Sequence, residues 1–355
     1  MAENKAKACH ETMGEYGKYL NTPQTAADMD SILDALGQAN MFYWGFSYGT
    51  TLGQTYAQMF PRRVEKLVID GVSNLDEWYN RFAVEEDLDD TDRDEIFKSS
   101  DELQAYIDNF LDTLEQASIP VYLNNSNYGA VTRRNLVTNG IFPALYKPYP
   151  AWPRLAANLA ALLNGNSTLV YNDYSDSGIA SVLGGKTNTF ATMNDIVQTG
   201  TEAPVHGIQP IKNYTLMQPR PFNLVSKYSG SVAFDRASWV IPTTHTFRPQ
   251  YYPEFPRFKT AEPILVISTT WDPVCPLVSA RKAHNTFSSA GLLEQLSYGH
   301  CSISMPSLCT RSICKIDAEY FPIDGREPLL LTLSQEDREL LAALGELAIQ
   351  GTSTL

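Results

Sequence analysis

The sequence predicts an α/β protein with a mostly parallel sheet flanked by helices. Residues 41–45 form an apolar run typical of a strand, residues 50–57 follow with a helical pattern, and residues 64–71 resemble a second buried strand. A strand, a helix and a strand at this spacing are typical of a parallel βαβ unit. The alternation returns at residues 263–298, which indicates that both parts of the chain contribute to one sheet.

A helix is predicted before the first strand. Thr22 is the expected N-cap, Pro23 suits the first helical position, and Gly37 can close the C-terminus. Between them the apolar residues recur at helical spacing and predict a buried face: Met29, Ile32, Leu33 and Leu36.

Size and composition are those of an ordinary globular protein. The chain has 355 residues, with 43% hydrophobic and 19% charged residues. A net charge of −13 argues against nucleic acid and anionic membrane surfaces as partners. No apolar run is long enough for a membrane span, and the charged N-terminus lacks the apolar stretch of a signal peptide, so the compartment stays open.

The middle of the chain has a different pattern. Strand-like runs are scarce there, and residues 102–117 and 152–163 are predicted helices. We therefore predict a large, mostly helical cap at 79–257, inserted between two strands of the sheet. The core is then discontinuous and comprises 1–78 and 258–355.

The second part of the core is predicted to contain a strand at 263–268, a helix at 277–287 and another strand at 292–298. A capping box of Ser334 and Asp337 predicts a last helix.

The sequence Gly45-Phe46-Ser47-Tyr48-Gly49 lies between the first strand and its helix. It is the G-x-S-x-G nucleophile elbow in the strand–turn–helix context that the motif requires. Glycines flank the serine because the tight turn tolerates little bulk. The alternative is a chance glycine-rich turn.

A serine nucleophile needs a base, and the base needs an orienting acid. In such folds the order along the chain is serine, acid, histidine. Asp272 follows the 263–268 strand and His300 follows the 292–298 strand, so both fit. The alternatives are a turn or N-cap role for Asp272 and a surface position for His300. Asp70, at the end of the second strand, is the runner-up acid.

The remaining histidines are weaker candidates because of where they lie. His10 precedes the sheet, His206 and His245 lie in the cap, and His284 lies inside a predicted helix. The predicted chemistry is acyl transfer by Ser47, with the backbone N–H of Tyr48 as one oxyanion donor.

With these residues assigned, the chain resembles the tripeptidyl-aminopeptidase-like α/β-hydrolases, relatives of proline iminopeptidase. Its amino-acid sequence looks similar to those of fungal members. The resemblance covers roughly residues 20–78 and 260–325 and is faint through the cap. It is carried by these stretches: 28–37, Trp44-Gly45-Phe46-Ser47-Tyr48-Gly49-Thr50, Tyr56-Ala57-Gln58-Met59-Phe60-Pro61, Val68-Ile69-Asp70-Gly71-Val72, Asp272-Pro273-Val274 with Pro276, Gly299-His300, and Pro306-Ser307-Leu308-Cys309.

The resemblance implies an α/β-hydrolase fold and removal of single residues or short peptides from free peptide N-termini. The family also includes esterases and amidases, so an esterase, lactonase or cyclase of secondary metabolism is an alternative. An aminopeptidase needs a carboxylate in the cap for the substrate ammonium, and Glu85 and Glu86 are the nearest candidates. The expected substrate is a peptide or a small ester or amide, and no cofactor is implied.

The chain also departs from the family. Members carry several strands and a His-Gly-Gly-Pro-type oxyanion loop before the elbow, whereas 40 residues precede Met41 here. The resemblance therefore implies that the N-terminal strands are missing and that the Ser47 strand has an exposed edge. Three explanations stay open: a fragment or non-catalytic remnant, a two-chain enzyme with a partner chain that supplies the missing part, or replacement by residues 1–40 and the cap.

Five cysteines are present and none has C-x-x-C spacing, so no zinc or other metal site is predicted. Cys275 and Cys301 closely follow the predicted acid and base, and a bridge between them is one pairing to test. Cys309 lacks the partner cysteine that the family often has.

Overall fold

A computed structural model describes residues 2–80, 101–175, 241 and 244–304. Within them lies a four-stranded sheet in which every neighbouring pair is parallel. From one end of the sheet to the other, its strands are β1 (Met41–Phe46), β2 (Val64–Asp70), β5 (Ile264–Trp271) and β6 (Gly291–Tyr298). This arrangement agrees with the α/β fold class that the sequence predicts. The last helix predicted near Ser334 lies outside the described residues.

Helices connect and cover these strands. Helix α3 (Tyr48–Met59) joins β1 to β2, and α9 (Leu277–Thr286) joins β5 to β6. The other helices of this part are α1 (Ala2–Met13), α2 (Thr22–Ala35) and α4 (Leu75–Asn80), with 3₁₀ turns at Gly14–Tyr19, Pro61–Arg63 and Ser302–Ser304.

The inner strands are buried on both faces. Leu67, Val68 and Ile69 of β2 have no exposed surface, and neither do Val266 and Ile267 of β5. Such continuous apolar runs are expected where helices cover both faces of a parallel sheet. Burial of one such side chain contributes about 1.5–3 kcal/mol to the free energy of folding.

Helix α2 differs from the sequence prediction in two details. Its N-cap is Asn21, whose side chain accepts a hydrogen bond from the Gln24 N–H at 2.9 Å, and Thr22 is the first helical residue. Leu33 is buried against the core, but Ile32 and Leu36 are 57% and 71% exposed. The helix therefore buries a narrower stripe than its apolar pattern suggests.

The insertion between β2 and β5 has its own elements. They are α5 (Asp101–Gln116), an antiparallel hairpin of β3 (Ile119–Asn124) and β4 (Asn127–Val131), helical turns at Arg133–Asn135 and Leu136–Ile141, α6 (Phe142–Tyr146), α7 (Pro148–Leu163) and α8 (Thr168–Tyr174). The hairpin was not expected in a segment predicted as mostly helical. The domain boundaries at 78 and 258 stay a prediction.

Strand β1 lies at one end of the sheet. Among the described residues its one paired neighbour is β2, and Phe42 on this strand is 41% exposed. Helices long and apolar enough to cross a membrane are absent from the described ranges.

Candidate active site

Ser47 occupies the sharp turn between β1 and α3. Its backbone has φ 54° and ψ −123°, a conformation that residues with a Cβ rarely adopt. Two hydrogen bonds hold the turn: the Ser47 N–H donates to the Asp70 carbonyl at 3.0 Å, and the Thr50 N–H donates to the Ser47 carbonyl at 2.8 Å. Strained backbone of this kind persists where its surroundings over-determine it, as at functional sites.

The residues around the turn explain why it is rich in glycine. A Cβ on Gly45 would lie 2.6 Å from the Gly49 carbonyl carbon, and one on Gly53 would lie 2.7 Å from the ring of Tyr43. The Tyr43 hydroxyl donates to the Gly49 carbonyl at 2.6 Å, and burial raises its pKa well above the ordinary value. Tyr43 and Gly53 were not among the predicted site residues, although Gly53 is a visible signal, one helical turn after Gly49.

Asp272 and His300 meet at the carboxyl ends of β5 and β6. His300 Nδ1 lies 3.0 Å from Oδ1 and 2.9 Å from Oδ2 of Asp272, and both side chains are buried. The carboxylate also accepts N–H groups of Val274 and Cys275 at 2.8 Å and of Cys301 at 3.1 Å. Asp272 therefore has the turn role considered from the sequence and also contacts the imidazole.

The other ring nitrogen of His300 is not used by Asp272. Nε2 is buried and has no hydrogen-bond partner among the described residues. The His300 N–H donates to the Tyr146 carbonyl at 3.0 Å, and the Tyr146 ring meets the imidazole edge-on, with 5.0 Å between centroids. Tyr146 belongs to the insertion, and the sequence offered no signal for this contact.

The elbow and the histidine loop meet at Asp70. Its carbonyl accepts both the Ser47 N–H and, at 3.4 Å, the Cys301 thiol. No hydrogen bond joins Ser47 Oγ to His300 Nε2 in this described region. Such bonds are often long in ligand-free enzymes and tighten when substrate binds.

Asp70 itself is fully buried at the end of β2. Burial raises the pKa of its carboxyl to about 6, and the nearby Asp272 charge acts in the same direction. Hydrogen bonds from Ser302 and the charge of His300 partly oppose this increase. Asp70 makes no hydrogen bond to the imidazole, whose Nδ1 bonds to Asp272 instead.

The remaining predicted site residues and the other histidines differ in where they lie. Tyr48 is the first residue of α3, and its hydroxyl lies 2.6 Å from Thr22 Oγ1. The N–H groups of a first helical turn have no acceptor within their own helix and point away from its N-terminus. This geometry suits the oxyanion role predicted for the Tyr48 N–H. Glu85 and Glu86 lie outside the described residues. His284 lies within α9, as predicted, and His10 lies in α1, which precedes the sheet along the chain.

The bridge considered between Cys275 and Cys301 is not formed. The Cys301 thiol donates to the Asp70 carbonyl instead, and Cys275 Sγ lies 3.7 Å from Ser73 Oγ. Burial raises the pKa of the Cys301 thiol far above its ordinary value, so it stays protonated. Across the described ranges, no cluster of three or more histidine, cysteine, aspartate or glutamate residues could hold a metal ion.

Comparison with known proteins identifies relatives over short segments. The chain is 43% identical over 74 residues to a tripeptidyl aminopeptidase from Streptomyces lividans, covering 21% of this chain and 14% of that protein. It is 39% identical over 74 residues to the serine protease Hip1 from Mycobacterium tuberculosis (strain ATCC 25618 / H37Rv), covering 19% and 14%. The match thus spans a small part of these curated relatives.

Solved structures with similar chains include a monoacylglycerol lipase from Paleococcus ferrophilus, at 14% identity and a TM-score of 0.35 over 85% of this chain and 76% of that chain. A hydrolase from Pseudomonas aeruginosa PA01 has 15% identity and a TM-score of 0.32 over 83% and 71%.

A family model described as alpha/beta hydrolase fold matches residues 5–304, which is most of the chain. The resemblance to α/β-hydrolases that the motifs predict is confirmed by this match, and the chain belongs to the alpha/beta hydrolase fold family.

Proposed function

We propose that this chain is a serine hydrolase that cleaves amide or ester bonds through a Ser47–His300–Asp272 triad. One observation carries the proposal. The Asp272 carboxylate binds Nδ1 of a buried imidazole whose Nε2 has no hydrogen-bond partner in the described region. The loop of this histidine is joined through Asp70 to the turn that holds Ser47 at φ 54°. A base oriented on one side and available on the other is what a serine nucleophile requires.

The proposed reaction has two halves. Ser47 Oγ attacks the substrate carbonyl carbon while His300 Nε2 takes the hydroxyl proton. The tetrahedral intermediate collapses, the C–N or C–O bond breaks, and His300 returns the proton to the leaving group. Water then attacks the acyl-enzyme with His300 as base again, which releases the acid and restores Ser47. Asp272 holds the imidazole tautomer and stabilises its positive charge throughout.

The charge that develops on the substrate oxygen needs hydrogen-bond donors. We assign one donor to the Tyr48 N–H, because Tyr48 follows the nucleophile and begins α3. The positive end of the helix dipole favours negative charge at the same place. Loss of one such donor typically lowers the rate by about 10²–10³.

The substrate class we propose is a peptide with a free N-terminus. The relatives named tripeptidyl aminopeptidase and serine protease support peptide cleavage, although they match over 74 residues. An aminopeptidase recognises the substrate ammonium with a carboxylate, and Glu85 and Glu86 are the proposed residues. The alternative substrate is an ester.

Labelling with a fluorophosphonate probe tests the serine hydrolase. We expect the purified chain to be labelled and Ser47→Ala not to be labelled. Ser31→Ala is the matched control, because Ser31 is an exposed serine on α2 that donates to Ala27 within the helix. Absence of labelling on a folded wild-type chain would contradict the proposal.

A substrate comparison tests the aminopeptidase. We expect cleavage of a peptide anilide with a free α-amino group and little cleavage of its N-acetylated form. Glu85→Gln and Glu86→Gln should raise KM for the free peptide and leave a neutral ester unaffected. Equal cleavage of the free and acetylated peptides would contradict the aminopeptidase, and hydrolysis of the ester alone would favour the esterase.

A further inference from the structure

Asp70 has a place in the structure that the proposed triad does not use. It is a fully buried aspartate at the carboxyl end of β2, next to the strand that ends in the nucleophile elbow. Its main-chain carbonyl accepts the Ser47 N–H at 3.0 Å, so it helps to hold the elbow turn. Burying a carboxylate costs free energy unless the group is well hydrogen-bonded. The partners of Asp70 therefore indicate which part of the structure it holds.

Those partners belong to the loop that carries the histidine. Asp70 Oδ1 accepts the Ser302 N–H at 2.9 Å, and Oδ2 accepts the Ser302 hydroxyl. Ser302 lies two residues after His300 and begins the 3₁₀ turn Ser302–Ser304. Hydrogen bonds to an ionised carboxylate are roughly twice as strong as neutral ones. One residue thus bonds to the elbow through its main chain and to the histidine loop through its side chain.

The next residue brings the two loops into close contact. Gly71 has φ +67°, and a Cβ there would lie 3.2 Å from His300 Cε1 and closer still to Cys301 Sγ. The end of β2 therefore packs directly against the imidazole and the residue that follows it. The charge of His300 also lowers the pKa of Asp70, so the two groups interact electrostatically.

We propose that Asp70 is a positioning residue that holds the histidine loop against the nucleophile elbow and places a second negative charge near the imidazole. This inference rests on the proposed serine hydrolase. The reaction puts positive charge on His300, and a nearby carboxylate stabilises that charge even without touching the ring. Asp272 orients Nδ1 by direct contact. Asp70 acts on His300 through its hydrogen bonds to Ser302 and through electrostatic attraction across a distance.

The proposal has a consequence for pH. The charged or titratable groups facing Asp70 among the described residues are Asp272, His300 and Cys301. Burial raises the pKa of Asp70 to about 6, so the carboxylate is charged at pH 8 and largely neutral at pH 5. Its contribution to the rate should be full at pH 8 and disappear at pH 5.

The test compares labelling rate constants for the fluorophosphonate probe in the wild type and Asp70→Asn from pH 5 to pH 8. Asparagine keeps the shape and can still accept the Ser302 N–H, but it carries no charge. We expect Asp70→Asn to react about tenfold more slowly at pH 8. At pH 5 we expect the two rates to converge, because Asp70 is then largely neutral in the wild type and the asparagine of the variant carries no charge. The matched control is Asp76→Asn, which removes a carboxylate that pairs with Lys282 at 3.2 Å.

A second variant keeps the proposal testable if Asp70→Asn does not fold. Ser302→Ala removes the hydroxyl donor, and Ser302 hydrogen bonds lower the pKa of Asp70. Its rate should therefore fall off at a higher pH than that of the wild type. If the wild type is labelled but the ratio of wild-type to variant labelling rates is constant across the pH range, the role of Asp70 is overturned while the proposed function stands. A folded wild-type chain without labelling would overturn the proposed function and this inference together.

Discussion

At the scale of single residues, the elbow is held by steric constraints rather than by a favourable local conformation. Ser47 has a positive φ, and Gly45 leaves room for the Gly49 backbone two residues beyond the serine. The backbone strain at one such residue is about 1–3 kcal/mol. The surrounding hydrogen bonds to Asp70 and from Tyr43 offset it.

Gly45→Ala tests this constraint. The new Cβ would meet main-chain atoms that cannot rotate away, so we expect loss of labelling at Ser47 and a lower free energy of unfolding. Gly291→Ala is the matched control, because its Cβ would meet Leu265 Cδ1 at an ordinary 3.6 Å. Urea unfolding and probe labelling measure both effects. Equal behaviour of the two variants would contradict the steric account.

Asp70→Asn should also change stability, in the direction opposite to its effect on rate. The folded pKa of about 6 exceeds the unfolded value near 4, so ionisation destabilises the fold as pH rises through 6. This gap of about two units corresponds to about 3 kcal/mol. We expect Asp70→Asn to be more stable than the wild type by up to about 3 kcal/mol at pH 7.5.

Urea unfolding at pH 4 and pH 7.5 measures this difference. At pH 4 it should largely vanish, since Asp70 is then almost fully protonated in the folded wild type and about half protonated in the unfolded chain, which leaves little difference in proton binding. A stability loss in Asp70→Asn at pH 7.5 would indicate that the carboxylate is merely structural.

At the scale of elements, the sheet could be predicted and the insertion only partly. Strands β2 and β5 contain apolar runs buried on both faces, and β1 is an apolar run at the end of the sheet; such runs are strong signals. The β3–β4 hairpin was missed because it is largely exposed, with Tyr122 at 73% and Tyr128 at 65%, so no buried run marks it. The spacing of apolar residues predicted helix α2 correctly, but the packing of α2 against α3 determines which of these residues are buried.

The contact of α6 with the histidine loop has a testable consequence. The Tyr146 ring meets the imidazole at 81°, and edge-to-face aromatic pairs contribute about 0.5–1.5 kcal/mol. We expect Tyr146→Ala to lower the labelling rate by up to about tenfold and Tyr146→Phe to leave it nearly unchanged. Tyr149→Ala, at an exposed position of α7, is the control. An unchanged rate in Tyr146→Ala would show that the Tyr146 ring does not position His300.

At the scale of the molecule, the described residues contain separate apolar clusters. One surrounds the parallel sheet, and another lies in the insertion and includes Leu111, Val121 and Leu136. Separate cores are expected if the predicted cap is a domain of its own. The insertion nevertheless reaches the site, because Tyr146 contacts the histidine and Pro148 lies against Gly299.

Leu136→Ala probes the core of the insertion. Leu136 is fully buried, and removal of a buried leucine typically costs about 2–5 kcal/mol. We expect that loss in the free energy of unfolding, against less than about 1 kcal/mol for Leu163→Ala, whose side chain is 40% exposed. Similar losses for the two variants would contradict a packed core in the insertion.

The candidate site could be predicted where it depends on strand ends. Ser47, Asp272 and His300 each follow a strand of one parallel sheet, and the carboxyl ends of such strands share an edge. Tyr146 and Ser302 could not be predicted, because their contacts depend on how the insertion and the histidine loop pack. Asp70 was visible as a strand-end aspartate, but its bond to Ser302 follows from tertiary structure.

Ser47, activated by His300, is the proposed nucleophile. Its most direct test is mass-spectrometric mapping of the fluorophosphonate adduct on the wild-type chain and on His300→Ala. We predict a single adduct, on Ser47, in the wild type and none in His300→Ala after the same exposure. An adduct on another residue, or equal labelling of Ser47 in His300→Ala, would contradict the account.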